Sequence, residues 1–270
     1  MEFTRRQSMV LGLAGMAVTV MPFAARAQEA TQQANPPAAP DDGMKPGGDT
    51  YKTDNGEIGI IPIAHASFVM TVPGMVIYAD PVGGADAFSA YPAADLILVT
   101  HEHQDHFSPE TLSALVGEET KLVVNPAVME KLPADLKARA TAIANGEDTT
   151  VGDVAIEAVP AYNTTEERKK YHPQGRDNGY LLTVDGKRVY IAGDTEDIPE
   201  MRALKDIFIA FVPMNLPYTM DVNQAASAVA EFKPQYVYPY HYRDSDPQAF
   251  AKAVADASGD VEVVMGPWYG

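Results

Sequence analysis

The 270-residue chain is long enough for one large domain or two small ones, and its 46% hydrophobic residues support a sizeable buried core. It contains no cysteine, which excludes disulfides, thiolate metal sites and a cysteine nucleophile. Its formal net charge of −17 disfavours contact with a phosphate backbone, so we expect no nucleic-acid partner.

The first 27 residues have the features of an export signal. Arg5 and Arg6 precede an apolar stretch at 9–23, and residues 25–27 have the small-x-small pattern of a cleavage site. The stretch is shorter than the roughly 20 residues of a spanning helix. The paired arginines resemble a twin-arginine signal, which implies export by the twin-arginine machinery to the periplasm without a stable membrane anchor. A retained anchor is the alternative.

Residues 28–50 consist mainly of Ala, Gln, Pro, Asp and Gly. Because they contain almost no large apolar side chain, they are predicted to form a flexible linker. The remaining sequence contains no internal repeat and no second segment of this composition. Residues 51–270 are therefore predicted to form one domain.

The predicted domain begins with short runs of β-forming residues at 57–63, 66–72 and 75–78. Turn signals separate these runs, which predicts an antiparallel meander. Residues 95–100 are a continuous apolar run, typical of a strand buried on both faces. A helix is predicted to begin at 108–110, where Ser is the N-cap and Pro the first helical residue.

Strands and helices alternate in the rest of the chain. The Asp185-Gly186 pair is a two-residue hairpin turn between two of these strands. A meander followed by strand–helix alternation predicts two packed sheets with helices outside, which is a four-layer αββα sandwich of the α/β class. The predicted strands are 121–124, 154–159, 179–184, 188–192, 207–212, 235–238 and 261–265, and the predicted helices are 222–232 and 247–257.

Four candidate metal ligands, His101, His103, Asp105 and His106, follow the strand at 95–100. Ligand sites of α/β proteins form at such strand ends. His101 and His103 are two residues apart on an extended segment, so their imidazoles face one side and suit a divalent ion such as zinc. Asp105 and His106 follow as the chain turns and can face a second ion. A solvated polar loop is the alternative.

Two later strands end in further candidates. Asp194 follows the strand at 188–192, and His241 follows the strand at 235–238. One carboxylate can bridge two cations, which suits Asp194. Alone, each residue has an ordinary structural explanation. Their interpretation as ligands depends on the preceding cluster, which requires more ligands than it contains.

The motif H-x-H-x-D-H at 101–106, with Gly-Asp-Thr at 193–195 and Tyr-His at 240–241, resembles the metallo-β-lactamase superfamily. The similarity is greatest to its lactonase-like and phospholipase-D-like zinc hydrolases and covers nearly all of 57–270. It implies the metallo-β-lactamase fold and two bound metal ions. The ligands it implies are His101 and His103 for the first metal, Asp105, His106 and His241 for the second, and Asp194 as the bridge.

One ligand of the family pattern is missing. The family takes a third first-site histidine from a strand end between the two motifs, where this chain has Ala-Tyr-Asn at 161–163. The carbonyl oxygen of Asn163 suits a harder ion such as Mn²⁺, and His172 is the nearest spare histidine. We therefore expect either His172 or Asn163 as the ligand, with His172 as a substrate contact or a bystander as alternatives.

Residues around the implied metals have more than one interpretation each. His65 is a substrate contact, a support for a ligand, or a structural histidine, and Asp80 either orients a ligand histidine or caps a turn. The cations at 168–170 and at Arg176 form a positive rim for an anionic substrate group or belong to a solvated loop. Tyr218, in an apolar irregular segment, is predicted to contact the substrate unless it serves ordinary packing.

The sequence thus predicts a metal-dependent hydrolase acting on a small-molecule substrate. Two divalent ions are expected, zinc first, with Mn²⁺ or Fe²⁺ as alternatives. A metal-activated hydroxide would attack an ester, lactone, amide or phosphodiester, with Asp105 holding the water and passing its proton to the leaving group. The alternatives are a non-catalytic periplasmic metal-binding protein and a β-lactamase in the strict sense. A di-iron redox protein is disfavoured because it would prefer a carboxylate at His103.

Overall fold

The computed structural model describes residues 48–269, and the predicted signal peptide and nearly all of the predicted linker lie outside them. Within the described residues the strands form two seven-stranded sheets. The first sheet contains β1 (Asp49–Lys52), β2 (Glu57–Ala64), β3 (Ser67–Val72), β4 (Met75–Ala79), β5 (Leu96–Val99), β6 (Lys121–Val124) and β7 (Ala140–Ala142).

The second sheet also has seven strands, and in both sheets each strand lies beside the next one in the chain. Its strands are β8 (Asp148–Val151), β9 (Val154–Ala161), β10 (Asp177–Val184), β11 (Lys187–Ile191), β12 (Ile207–Pro213), β13 (Tyr236–Tyr240) and β14 (Glu262–Val263). The helices are α1 (Pro109–Leu115), α2 (Pro126–Lys131), α3 (Ala134–Lys137), α4 (Pro199–Arg202), α5 (Val222–Phe232) and α6 (Pro247–Ala257), with a short 3-10 helix at Ala85–Phe88. None of these helices is long and apolar enough to cross a membrane.

The two sheets have matching topologies. Strands β1 to β4 pair antiparallel, and β4 to β7 pair parallel. In the second sheet β8 to β11 pair antiparallel, and β11 to β14 pair parallel. The carboxyl ends of β2, β4 and β5 consequently lie at one edge of the first sheet, and those of β9, β11, β12 and β13 at one edge of the second.

Three buried clusters define the layers. The largest lies between the sheets, where Phe68 of the first sheet stacks on Phe211 of the second at a centroid distance of 4.1 Å. A second cluster joins the outer face of the second sheet to α4, α5 and α6, and a third joins the outer face of the first sheet to α1, α2 and α3. Leu98 faces the inner cluster while its neighbour Val99 faces the outer one, so β5 is buried on both faces as predicted. The four-layer sandwich is confirmed.

Local signals account for most boundaries. Ser108 caps α1 by accepting a hydrogen bond from the backbone N–H of Thr111, and α5 and α6 have the predicted bounds. The last strand is shorter than predicted, with two residues in place of five. Strand β1 begins at Asp49, two residues inside the segment predicted as linker, because Tyr51 is buried in the core between the sheets.

Candidate metal centre

The loop after β5 holds the histidine motif. It turns directly after the strand, where the backbone N–H groups of His106 and Phe107 both donate to the carbonyl of His103. Capping by Ser108 then starts α1. The loop is therefore fixed at both ends, by a buried strand and by a helix N-terminus. His101 and His106 are buried, and His103 is half-buried.

The first group of candidate ligands is His101, His103 and His172. One ligand atom from each lies within 4.8 Å of the others. The structure thus brings His172 into the place for which the sequence left two candidates. The Nδ2 atom of Asn163 donates to the carbonyls of Arg168 and Tyr218 at 3.1 and 2.7 Å, and its buried Oδ1 makes no hydrogen bond within the described residues.

The second group contains Asp105, His106 and His241, together with His65. The Nε2 atom of His241 lies 3.4 Å from Asp105 Oδ2. His65 approaches the same oxygen at 3.1 Å, and its ring centroid lies 3.9 Å from that of His241. His65 therefore lies beside the predicted ligands, against the carboxylate of Asp105.

Asp194 lies between the two groups. Its Oδ2 atom is 3.4 Å from the Nε2 atoms of both His172 and His241, which belong to different groups. Its Oδ1 atom is 3.4 Å from His106 Nε2, and Oδ2 is 3.9 Å from His101 Nε2. A carboxylate so placed can reach both groups at once, as a bridging ligand must.

A loop at 162–176 carries His172 to the cluster, and buried Glu196 anchors this loop. The carboxylate accepts hydrogen bonds from the backbone N–H groups of Thr164 and Thr165, both at 2.6 Å, and from Arg168 Nη1 at 2.7 Å. A buried carboxylate with this many donors is well satisfied. The sequence does not indicate that Glu196 fixes this loop, because the residue directly follows the Gly-Asp-Thr motif, where a turn is expected.

Three of the histidines are oriented by partners at their Nδ1 atoms. Asp80 accepts from His106 Nδ1 at 2.7 Å, and Asp177 lies 2.9 Å from His172 Nδ1 through Oδ2. The hydroxyl of Thr100 lies 3.0 Å from His101 Nδ1. Such contacts leave Nε2 free as the ligand atom and fix the ring. The predicted orienting role of Asp80 thus fits its contacts, whereas sequence reasoning missed Asp177.

The charges of the cluster suit cation binding. Burial lowers the pKa of His101 well below its ordinary value, and neighbouring His106 adds to the shift. Burial works to raise the pKa of Asp194, but the imidazoles of His241 and His106 hold it well below its ordinary value. Burial works to lower the pKa of His106, which the carboxylates of Asp194 and Asp80 nevertheless hold well above its ordinary value. A cation bound at His106 must therefore displace a proton.

Several buried nitrogen and oxygen atoms of the cluster make no hydrogen bond, and they show whether metal ions fit there. Leaving such atoms without partners is costly, and the cost disappears when they bind a cation. They converge on the same space, which is the donor chemistry of a divalent-metal site. Among the described residues, the unpaired buried atoms of the cluster are Nε2 of His101, His106 and His172, both ring nitrogens of His241, and Oδ1 of Asp194.

The final residues of the chain also reach the cluster. Tyr269 OH lies 2.6 Å from His65 Nδ1, and the preceding Trp268 is buried in the core between the sheets. The backbone N–H of His65 donates to Trp268 O at 3.1 Å, and that of His241 donates to His65 O at 3.0 Å. Sequence reasoning missed Tyr269, because no local pattern links a terminal tyrosine to a histidine 204 residues away.

The cations near His172 have carboxylate or aromatic partners. Arg176 donates to both oxygens of buried Asp177, at 2.7 and 2.8 Å. Lys169 pairs with Glu166, and Lys170 lies over the Tyr171 ring. Arg168 is bonded to Glu196 as described above. Three of the four cations of the predicted rim, Arg168, Lys169 and Arg176, are thus paired with carboxylates within the protein.

Comparisons with known proteins agree with this architecture. The family model described as β-lactamase superfamily domain matches residues 60–241. A metal-dependent hydrolase of Pyrococcus furiosus is 30% identical over 208 residues, covering 72% of this chain and 91% of that protein. The crystal structure of a candidate metal-dependent hydrolase from Parabacteroides distasonis is 44% identical with a TM-score of 0.73, covering 82% of this chain and 99% of that chain. The metallo hydrolase Igni18 of Ignicoccus hospitalis is 25% identical with a TM-score of 0.64, covering 78% and 95%.

Proposed function

This chain belongs to the β-lactamase superfamily, and we propose that it is a metal-dependent hydrolase with two divalent ions at the cluster. The observation that carries the proposal is the convergence of unpaired, buried imidazole and carboxylate atoms from strand ends of both sheets. The similarity to metal-dependent hydrolases from archaea and bacteria supports the same activity. The fold alone would not support this activity, because proteins of one fold have many different functions.

The proposed ligand sets follow the two groups. The first ion would be held by His101, His103 and His172, and the second by Asp105, His106 and His241, with Asp194 shared. Nitrogen ligands outnumber oxygen ligands, which favours zinc over Mn²⁺ or Ca²⁺. His172, rather than Asn163, is proposed to complete the first set, because its ring nitrogen lies within 4.8 Å of the ligand atoms of His101 and His103. An imidazole nitrogen also suits zinc better than an amide oxygen does.

The proposed reaction is hydrolysis of an ester, lactone, amide or phosphodiester. When bound, the two ions would supply Lewis-acid polarisation of the substrate oxygen and lower the pKa of water toward about 7. Hydrolysis joins the oxygen of water to the electrophilic carbon or phosphorus, breaks the bond to the leaving group, and moves one proton of water to that group. These bond changes require no serine nucleophile and no cofactor besides the metal ions.

Asp105 is proposed to hold and transfer the proton. Burial works to raise the pKa of Asp105, but the neighbouring imidazoles of His241 and His65 hold this pKa well below its ordinary value, so the carboxylate is ionised. Its side chain is 38% exposed, unlike the buried Asp194, so water and substrate can reach it. An ionised, accessible carboxylate beside the cluster can accept a hydrogen bond from the attacking water and pass the proton on. His65 orients this carboxylate through its 3.1 Å contact.

Metal content tests the ligand assignment. Elemental analysis of the purified chain is expected to find two equivalents of zinc, and His172→Ala is expected to retain one. Asn163→Ala is the matched control, expected to retain two. Retention of both ions in His172→Ala, or loss of one in Asn163→Ala, would contradict the assignment.

Turnover tests the hydrolase proposal against its alternatives. Hydrolysis of a chromogenic ester or phosphodiester is expected to stop with a chelator and to recover when zinc is added. A protein that binds two ions but hydrolyses no ester, lactone, amide or phosphodiester would be a non-catalytic metal-binding protein. Turnover confined to a chromogenic cephalosporin would indicate a β-lactamase in the strict sense.

Export to the periplasm is the proposed location, supported by the sequence at 1–27. The paired Arg5-Arg6, the short apolar stretch and the small-residue cleavage pattern are its basis. Changing both arginines to lysine is expected to retain the unprocessed chain inside the cell, as cell fractionation would detect. Equal export of the double variant would contradict use of the twin-arginine route.

A further inference from the structure

Two exposed tyrosines differ in what their hydroxyls contact. Tyr218, predicted from the sequence to contact the substrate, is 43% exposed, and its ring lies 4.9 Å from that of Tyr171. Tyr269 is 40% exposed, and its hydroxyl lies 2.6 Å from Nδ1 of His65. Among the described residues, the hydroxyl of Tyr269 thus bonds to a histidine of the metal centre, and that of Tyr218 does not.

His65 links Tyr269 to the proposed site of the second ion. Its Nε2 atom lies 3.1 Å from Asp105 Oδ2, an oxygen that also lies 3.4 Å from His241 Nε2. The ring of His65 lies 3.9 Å from that of His241. Each nitrogen of His65 therefore has one partner, the Tyr269 hydroxyl at Nδ1 and the Asp105 carboxylate at Nε2.

These two partners determine where the proton of His65 lies. The ionised carboxylate of Asp105 only accepts hydrogen bonds, so Nε2 must carry a proton. A positive charge on the ring is disfavoured, because the side chain is only 12% exposed and burial lowers the pKa of His65 below its ordinary value. In the neutral ring Nδ1 has no proton, and it accepts the hydrogen bond that the Tyr269 hydroxyl donates.

The backbone of His65 is held in an unfavourable conformation at the same point. Its φ of +54° lies in the left-handed region, which is costly for a residue other than glycine. Two hydrogen bonds maintain it, since the His65 N–H donates to Trp268 O at 3.1 Å and the His65 carbonyl accepts from the His241 N–H at 3.0 Å. Backbone strain that its surroundings maintain is concentrated at functional sites in proteins.

The segment at 264–269 fixes the position of Tyr269. The Val264 N–H donates to a carbonyl of β13 at 2.9 Å, and Trp268 is buried in the core between the sheets. Gly266 lets the chain pass close to the indole, because a Cβ at this position would lie 2.7 Å from Trp268 Nε1. Tyr269 is therefore anchored by its buried neighbour, although its own side chain is exposed.

We propose that Tyr269 is a positioning residue, which holds the His65 ring with its proton on Nε2 and directed at Asp105. The hydroxyl acts through His65 and does not touch the substrate. A carboxylate held in this way keeps one orientation toward the attacking water. This consequence for catalysis rests on the proposed hydrolase function, whereas the state of the His65 ring does not.

Nitrogen NMR of the isotope-labelled, zinc-loaded full chain tests the state of the ring without any turnover. Protonated and unprotonated ring nitrogens have well-separated chemical shifts, and His65→Gln identifies the signals of His65. We expect Nε2 to be protonated and Nδ1 to be unprotonated. In Tyr269→Phe the Nδ1 signal is expected to move toward that of a nitrogen without a hydrogen bond, because the phenyl ring fills the same space without a donor.

Two spectroscopic results would overturn the proposal. One is a His65 ring with a proton on Nδ1, either alone or together with a proton on Nε2. The other is an Nδ1 signal that Tyr269→Phe leaves unchanged.

A double-mutant cycle tests whether Tyr269 acts through His65, with p-nitrophenyl acetate and bis(p-nitrophenyl) phosphate as substrates. Tyr269→Phe is expected to lower kcat about 3- to 10-fold, with KM and zinc content unchanged. In a His65→Gln background the same change is expected to lower kcat by less than about twofold, because the ring through which Tyr269 acts is absent. The matched control is Tyr242→Phe, since the Tyr242 ring lies 4.8 Å from that of Tyr269, and it is expected to leave kcat unchanged.

The outcomes separate this inference from the proposed function. An equal loss of kcat in both backgrounds, or a loss of zinc in Tyr269→Phe, would overturn the positioning role and leave the hydrolase proposal standing. A chain with two ions bound that hydrolyses neither substrate would contradict the proposed function, and the His65 spectra alone would then decide the role of Tyr269.

Discussion

Asp80 offers a sharp test of how the fold prepares the metal centre. Its carboxylate is fully buried and accepts three hydrogen bonds of 2.7 Å, from the Thr100 backbone, the Thr100 hydroxyl and His106 Nδ1. Asp80→Asn keeps the shape and one acceptor oxygen. The new amide donates toward His106 Nδ1, so the imidazole proton moves to Nε2, the atom needed for the metal.

The size of the effect follows from these contacts. Loss of a carboxylate that orients a ligand histidine costs about 10- to 100-fold in metal affinity, or roughly 1.4 to 2.7 kcal/mol. The ion at His106 is expected to be affected most, because Asp80 contacts His106 directly and reaches His101 only through the Thr100 hydroxyl. Competition titration with a chromogenic chelator measures the affinities of both sites. We expect the affinity of the site at His106 to fall more than that of the site at His101.

A matched control separates metal binding from general stability. Asp95 directly precedes β5, at the end of the strand away from the metal centre, and its Oδ2 accepts from the Val76 backbone at 2.7 Å. Asp95→Asn is expected to leave both metal affinities unchanged. Unfolding of the two metal-free variants in denaturant shows how much stability each loses. Two unchanged affinities in a folded Asp80→Asn protein would refute the orienting role of this carboxylate.

Further predictions concern the core, the site and the metals. Phe211→Ala, which removes a ring stacked on Phe68, is expected to cost about 3 to 5 kcal/mol of unfolding free energy in denaturant titrations. Gly193→Ala forces a side chain onto a φ of +65° with its Cβ 2.8 Å from a backbone oxygen, and is expected to destabilise the protein by at least about 1 kcal/mol and to weaken metal binding. Tyr269→Phe removes the 2.6 Å contact with His65 and is expected to lower kcat about 3- to 10-fold at constant metal content, whereas Tyr242→Phe should not. Chelation is expected to lower the melting temperature, because an ion at 100 times its Kd stabilises the fold by about 2.7 kcal/mol.

The sequence was sufficient for the elements that have strong local signals. The apolar run of β5 and the helical spacing of apolar residues in α5 gave the correct elements. Short elements were not predicted, because few residues define them: β7 has three residues and β8 has four mostly polar ones. Helix α2 did have a signal, since Asn125 caps it and Pro126 begins it, as Ser108 and Pro109 do for α1.

The candidate site divides in the same way. His101, His103, Asp105 and His106 are close in sequence, so their proximity was predictable. Contacts between residues that are far apart in the sequence were not predictable. The position of His172 depends on the buried Glu196 that fixes an irregular loop, and the position of Tyr269 depends on Trp268 in the core between the sheets. Neither dependence leaves a periodic pattern in the sequence, so only the tertiary structure distinguishes His172 from Asn163.

The most direct test of the two-ion centre is anomalous diffraction from crystals of the zinc-loaded protein, measured above and below the zinc absorption edge. We expect two anomalous peaks at the cluster, one among His101, His103 and His172 and one among Asp105, His106 and His241, with Asp194 between them. A single peak at full zinc loading, or zinc bound away from these residues, would contradict this expectation.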